Sequence, residues 1–395
     1  QGYVIPYATS LSAARIFQRC YWIDGLGNGR ALPPIPDDRP LLEEGISTRK
    51  RAGKKTALSP SSLPPELQYP AMIAQQLARI DRPITFYSFV LNGKGSRRRS
   101  LNKAAHSAQN GSHPEPLPAL PREGGLLSGN WPELAPALLT TLEQYAAIFL
   151  LNPLKDGLFR YPDLSPLYQR TAPTELFLWL SHKQIETRLL PALRSGSEAA
   201  ALTNLLRNDR WKGLLSKTEG EASAEPFVNG LIDLFAESIK PHFLSVQRLT
   251  LPVHTRPALV EEAPYSLLFA TRRQDSLCSL NDAVCRRGQR LLAESQQGVL
   301  NEAWFVAQRE EQAVTQQKAL YQEALERGRA ARIRRWPDLR QQLLLAHFGQ
   351  FTQIEYDQLI LTLLERGEVR CEWRKRNGEA NEVSIPGNDD LLLWR

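Results

Sequence analysis

The order of apolar and amphipathic stretches predicts an α/β chain: a doubly wound, mostly parallel sheet with an antiparallel edge, followed by a small C-terminal α+β module. Three observations carry this. Ala146-Ala147-Ile148-Phe149-Leu150-Leu151 is a continuous apolar run, the pattern of a central parallel strand buried on both faces. Strand-like and helical stretches alternate up to a late strand pair, Phe243 to Val253 and Tyr265 to Thr271. Helix, turn, helix and a basic hairpin then occupy Leu339 to Ile385.

The 395 residues leave room for two or three domains. An apolar fraction of 42% with 23% charged residues is that of a soluble globular protein. The net charge of +7 favours an acidic partner, nucleic acid before an anionic membrane. Cys20, Cys278, Cys285 and Cys371 are scattered, without a Cys-x-x-Cys pair. That pattern indicates reduced thiols in a cytoplasmic protein and neither a zinc site nor a disulfide framework. No apolar run is long enough for a bilayer, and the first thirty residues lack a signal-peptide core, so no membrane partner is expected.

Taken in order, Tyr3 to Phe17 has helix-compatible spacing and leads into a strand-like stretch, Cys20 to Ile23. Asp24-Gly25-Leu26-Gly27-Asn28-Gly29 follows. Glycines there let a backbone turn tightly and a ligand approach its peptide groups, although a plain surface turn has the same composition. Asp24 would accept a hydrogen bond or a positive charge from the ligand. The basic run Arg49 to Lys55 lies in a proline-rich segment of loop composition. Ser62 with Pro64-Pro65-Glu66 marks a helix start, with the helix reaching Ile80. Ile84 to Leu91 reads as a strand, and the basic cluster Arg97, Arg98, Arg99 and Lys103 comes after it. Leu126-Leu127-Ser128 reads as a short strand, and Asn130-Trp131-Pro132 as the start of a helix to about Gln144. After the apolar run come Asn152-Pro153, a strand from Thr174 to Leu180, and helices near Ser197–Asn208 and Glu225–Ile239.

Asn301 to Arg335 is strongly helical with a basic end, Arg327, Arg329, Arg332, Arg334 and Arg335, which suits either solvent or phosphates. Leu339 to Phe348 is an amphipathic helix. Thr352 is placed to cap the next, about Gln353 to Arg366, which Gly367 ends. Glu368 to Trp373 and Glu382 to Ile385, joined across Arg374-Lys375-Arg376-Asn377-Gly378, read as a hairpin. The set suggests an abbreviated winged helix.

These collinear features resemble the three-Cys-motif partner proteins, a bacterial family related to Rossmann-fold methyltransferases. Tyr21 to Gly29 is similar to the family's Tyr-Ile-Asp-Gly-Phe-Ala-Gly-Pro-Gly loop. Leu127 to Trp131, then a helix, then Ile148 to Gly157, is similar to its strand ending in Asp-Pro-Phe-Gly. Arg207-Asn208-Asp209-Arg210-Trp211 resembles its Gly-Thr-Asp-x-Trp segment, and Tyr265 to Thr271 its Tyr-x-Leu-x-Phe-Ala-Thr strand. The resemblance implies a Rossmann-like methyltransferase-related domain over residues 1–290, a basic-ended helical connector over 291–337 and a winged-helix-like domain over 338–395. It implies that Asp24, Gly25, Gly27 and Gly29 cradle S-adenosylmethionine, and that Asn152 and Pro153 hold a target amine. Catalysis would be mainly positioning, since the sulfonium already activates the methyl group.

The departures bear on function. Leu91-Asn92 stands where methyltransferases commonly place the acid that holds the cofactor's ribose. Loss of such an ionic contact costs about 1.5–3 kcal/mol. The family's Asp before Pro is Asn152, and Leu154-Lys155 lacks the ring that amino-methyltransferases stack on a flipped base. The first reading is therefore a cytoplasmic nucleic-acid-binding subunit on a degenerate methyltransferase-like fold, in a bacterial multiprotein defence or mobile-element system with other protein subunits. Its cofactor would be lost, and its contacts would come from Arg97, Arg98, Arg99, Arg332, Arg334, Arg335, Arg374, Lys375 and Arg376. The alternative is an active S-adenosylmethionine-dependent nucleic-acid amino-methyltransferase. A third reading makes the chain a structural partner whose basic residues only solubilise it. No ligand spacing supports a metal, and neither His182 nor His242 stands in a catalytic context.

Overall fold

The structure is a computed structural model that describes residues 2–14, 17–26, 65–81, 83–92, 120–121, 123–155, 157–217, 223–251, 264–296, 302–330, 333–374 and 384–395. Two compact units form, one within Ala8–Pro252 and Glu262–Arg272, the other mainly from Arg273–Arg395 with the first residues of the chain.

The first unit is organised by β1 (Arg19–Asp24), β2 (Thr85–Asn92), β3 (Gly124–Ser128), β4 (Ala146–Leu151), β5 (Thr174–Ser181), β6 (Ser245–Leu251) and β7 (Tyr265–Thr271). They make one seven-stranded sheet in the order β3-β2-β1-β4-β5-β7-β6. β1 to β5 are mutually parallel, while β7 runs antiparallel to both β5 and β6. The α/β class and the antiparallel strand pair therefore match the sequence reading. All six residues of β4 are buried, the result of sitting mid-sheet with both faces covered. One apolar core runs from Tyr21 and Phe89 through Trp131, Phe149, Leu178 and Phe235 to Ala270.

The helices of this unit follow from local chemistry. After α1 (Val4–Ala13) and α2 (Pro65–Leu77), α3 (Trp131–Thr141) starts at a capping box. Glu133 N–H donates to Asn130 Oδ1 at 3.1 Å, and Asn130 N–H donates to the Glu133 carboxylate at 3.3 Å. α4 (Tyr161–Gln169) leads into β5. α5 is a composite helix, His182–Gln184 and Leu190–Arg194 joined by the π turn Ile185–Leu189. That turn puts both Ile185 and Leu189 into the core. α6 (Ala199–Leu206), α7 (Trp211–Lys217) and α8 (Glu225–Ile239) complete the unit.

The second unit holds α9 (Gln274–Gln296), α10 (Glu302–Ala330), α11 (Trp336–Ala346), α12 (Gln353–Glu365) and a two-stranded antiparallel sheet of β8 (Val369–Glu372) and β9 (Leu391–Trp394). Glu355 receives both the backbone N–H and the hydroxyl of Thr352 at the start of α12, and Gly367 ends the helix at φ +69°. The expected hairpin partner, Glu382 to Ile385, lies in part outside the described residues; its described residues, Ser384 and Ile385, are in no strand, and β8 pairs with Leu391–Trp394. Apolar burial decides this. Leu392 is buried and Trp394 packs on α10, whereas Ile385 is 44% exposed. The Asn377-Gly378 turn lies outside the described residues. Among the described residues no helix is long and apolar enough to cross a membrane.

Candidate functional site

β1 is flanked by β2 and β4, so the strand order reverses direction between β1 and β4. Crevices at such a switch point, beyond the carboxyl ends of the strands, hold ligands in open α/β sheets. Asp24 pairs with Leu150 in register, so the loops after Asp24 and Leu151 leave the sheet side by side. The structure thus brings Asp24 and Gly25 next to Asn152 and Pro153. Gly27, Gly29, Arg97, Arg98, Arg99, Arg332, Lys375 and Arg376 lie outside the described residues.

The groups in this crevice are engaged by the chain itself. Asp24 Oδ1 accepts the N–H of Leu26 at 2.8 Å. A Cβ on Gly25 would press on the Leu151 side chain and stand 3.2 Å from Leu150 O, so the close approach that needs glycine is to β4. Asn152 is buried; its Oδ1 accepts Leu154 N–H at 2.9 Å and its Nδ2 donates to Gln184 Oε1 at 3.2 Å. Pro153 O accepts Phe159 N–H at 3.0 Å. Leu91 and Leu154 are both in the core, whereas Asn92, at the carboxyl end of β2, is half-buried.

Three residues that sequence reasoning missed fasten the crevice. Lys155 Nζ donates to Leu26 O, tying the loop after β4 to the loop after β1. Arg188 Nη1 donates to Leu154 O and Lys155 O, each at 2.9 Å. Gln184 and Arg188 come from α5, on either side of a turn of the π segment. Their partners lie 32 to 34 residues away in sequence, and that of Lys155 lies 129 away, so no local pattern marks them.

His182 and His242 are both engaged by neighbouring side chains. His182 Nε2 lies 2.9 Å from Ser266 Oγ, but Ser266 is fully buried and also receives Arg248 Nε–H at 3.3 Å. Burial, then the Arg248 charge, lowers the proton affinity of His182. His242 stacks on Tyr168 with ring centroids 4.3 Å apart, and burial followed by Arg272 lowers its proton affinity too. Burial raises the Cys285 thiol to about 12, which keeps it protonated and unreactive. Among the described residues no group of three His, Cys, Asp or Glu side chains is placed to hold a metal.

In the C-terminal unit, Arg335 and Arg374 line one cleft together with Asn388, Asp389 and Leu391. Arg334 stands beside them; its carbonyl accepts the N–H of Leu392 at 2.7 Å. The structure therefore brings together two arginines, 39 positions apart in the chain, that the sequence marks as basic contacts. Comparison with known proteins finds no matching family model, no matching curated protein and no matching solved structure.

Proposed function

We propose that the chain is a nucleic-acid-binding subunit on a methyltransferase-like scaffold whose chemistry has been lost. The observation that carries the binding half is the convergence of Arg335 and Arg374 on one cleft. The strand order, with reversed β7 between β5 and β6, supports a methyltransferase-type sheet. The helix–turn–helix of α11 and α12 followed by β8 and β9 supports an abbreviated winged helix. The loss of chemistry is supported by the crevice itself. Asn152 Oδ1, Pro153 O and Leu26 O, the acceptors a target amine or a cofactor ammonium would use, each already accept a hydrogen bond from the chain. Lys155 and Arg188 also place two cations where a sulfonium cofactor would bring a third. The motif resemblance to three-Cys-motif partner proteins supports a role beside other protein subunits in a bacterial defence or mobile-element assembly.

The alternative, an active amino-methyltransferase, rests on Asp24 and Asn152 leaving adjoining strand ends at the switch point. It requires the internal partners of Asn152 and Leu26 to let go.

Fluorescence anisotropy of labelled DNA and RNA oligonucleotides tests the binding reading. Binding should weaken linearly in log affinity against log salt between about 50 and 200 mM, with a slope near −2 to −3 for two or three phosphates. An absence of binding at about 50 mM salt contradicts it.

A further inference from the structure

The corner of the C-terminal unit around Arg335 is rigidly framed. Leu392 N–H donates to Arg334 O and Trp394 Nε1–H to Ile333 O, both at 2.7 Å, so β9 is fastened to the segment that starts α11. β9 pairs with β8, and just beyond β8 the N–H of Arg374 donates to Asp390 Oδ1 at 3.0 Å. Asp390 Oδ2 accepts Gly387 N–H at 2.8 Å, which shapes the loop carrying Asn388 and Asp389. Arg335 and Arg374 thus both line one cleft of about 450 Å3.

The charge in this cleft is unbalanced. Three nearby arginines of the unit are paired, Arg329 with Glu368 at 2.8 Å, Arg340 with Asp357 at 3.2 Å and Arg327 with Glu323, while Arg334, Arg370 and Arg395 have no ion pair among the described residues. Among the described residues neither the Arg335 nor the Arg374 guanidinium has an ion pair or a hydrogen bond, and Arg335, the residue preceding α11, makes no capping bond. Among the described residues of the lining there are two guanidinia and one carboxylate, that of Asp389. An arginine fork matches the oxygens of a phosphate, and the positive end of α11 adds to the attraction.

A second groove of the unit lies between α10 and α12. Glu355, Gln358 and Thr362 of α12 line a groove of about 380 Å3 whose opposite wall is Val314, Gln317 and Tyr321 of α10.

We propose that Arg335 and Arg374 clamp a single phosphate of a nucleic-acid backbone in this cleft, with the Asn388 side chain beside it. The proposal rests on the nucleic-acid-binding reading and adds that both guanidinia serve one phosphate. The test is duplex binding by anisotropy over a salt series, with wild type, Arg335→Gln, Arg374→Gln, the double Gln variant and the double Lys variant. Thermal melts check that each variant is folded. The double Gln variant should flatten the salt slope by about 0.9 and weaken binding about tenfold at about 0.1 M salt, one phosphate's worth. The double Lys variant keeps both charges and should keep the slope. A slope change near 1.8 means two separate phosphates and overturns the clamp, as does an unchanged slope. Wild type that fails to bind overturns the nucleic-acid reading itself, so the two failures are distinct.

Discussion

Gly328→Ala is expected to destabilise the C-terminal unit by about 2 kcal/mol, against the usual sign for a helical glycine. Gly328 is buried inside α10, and the indole of Trp394 lies flat against it; an added Cβ would overlap three atoms of that ring. Replacing glycine by alanine inside a helix normally gains about 1 kcal/mol from backbone entropy. Here the gain is outweighed, because the ring cannot swing aside freely. Its Nε1–H is bonded to Ile333 O and its strand is paired along β8. Displacing a packed tryptophan forfeits about 3 kcal/mol or more of burial and contact. Gly288→Ala in α9 is the control, since nothing lies within 4 Å of its added Cβ; it should be neutral or stabilising by up to about 1 kcal/mol. Urea unfolding followed by tryptophan fluorescence reads both. Equal stability of Gly328→Ala and wild type would show that the indole is not fixed there.

The second large effect is in the sheet unit. Arg272→Met is expected to cost about 3 kcal/mol. Arg272 follows β7 and spreads its guanidinium over four backbone carbonyls, the most distant being Leu167 O, 3.5 Å from Nη2. Nε–H donates to His242 O at 2.9 Å, Nη1–H to Arg170 O at 2.8 Å, and Nη2–H to Tyr168 O. Tyr168 lies in the last turn of α4 and His242 ends the short 3-10 turn Lys240–His242 after α8, so one side chain satisfies the orphan carbonyls of two helix ends. The guanidinium also lies 4.8 Å from the Phe243 ring centroid. Methionine fills the space of the stem and leaves the carbonyls without donors. Arg272→Lys keeps the charge but reaches at most part of the set, and should recover less than half of the loss. A loss under about 0.5 kcal/mol for Arg272→Met, measured by urea unfolding, would mean that water replaces the guanidinium at no cost.

Much of the sheet is legible because burial on two faces writes itself into composition. The six apolar residues of β4 can hardly be anything else, and Tyr265 to Thr271 and Ile84 to Leu91 carry the aromatic and β-branched residues of paired strands. Caps are equally local: Asn130 with Glu133 and Thr352 with Glu355 declare helix starts from four-residue spacing. What escapes is decided at long range. α9 has an apolar face over Leu277, Leu280 and Cys285 but continues into an Arg- and Gln-rich half, and the sequence reading names no helix starting near Gln274. β9 wins its place through Leu392 and the Trp394 ring on Gly328, partners far apart in the chain. The crevice shows the same limit. Asp24, Gly25, Asn152 and Pro153 are recognisable as residue types at strand ends, whereas their occupation by Leu26, Lys155, Gln184 and Arg188 depends on how two loops and α5 meet.

That occupation is the core of the account, and calorimetry tests it most directly. S-adenosylmethionine and its demethylated product are titrated into the purified protein, with Asp24→Ala as the control. The engaged acceptors and the two neighbouring cations predict no heat of binding for either ligand at millimolar concentration. Micromolar binding that the Asp24→Ala variant abolishes would contradict the account and restore the methyltransferase reading.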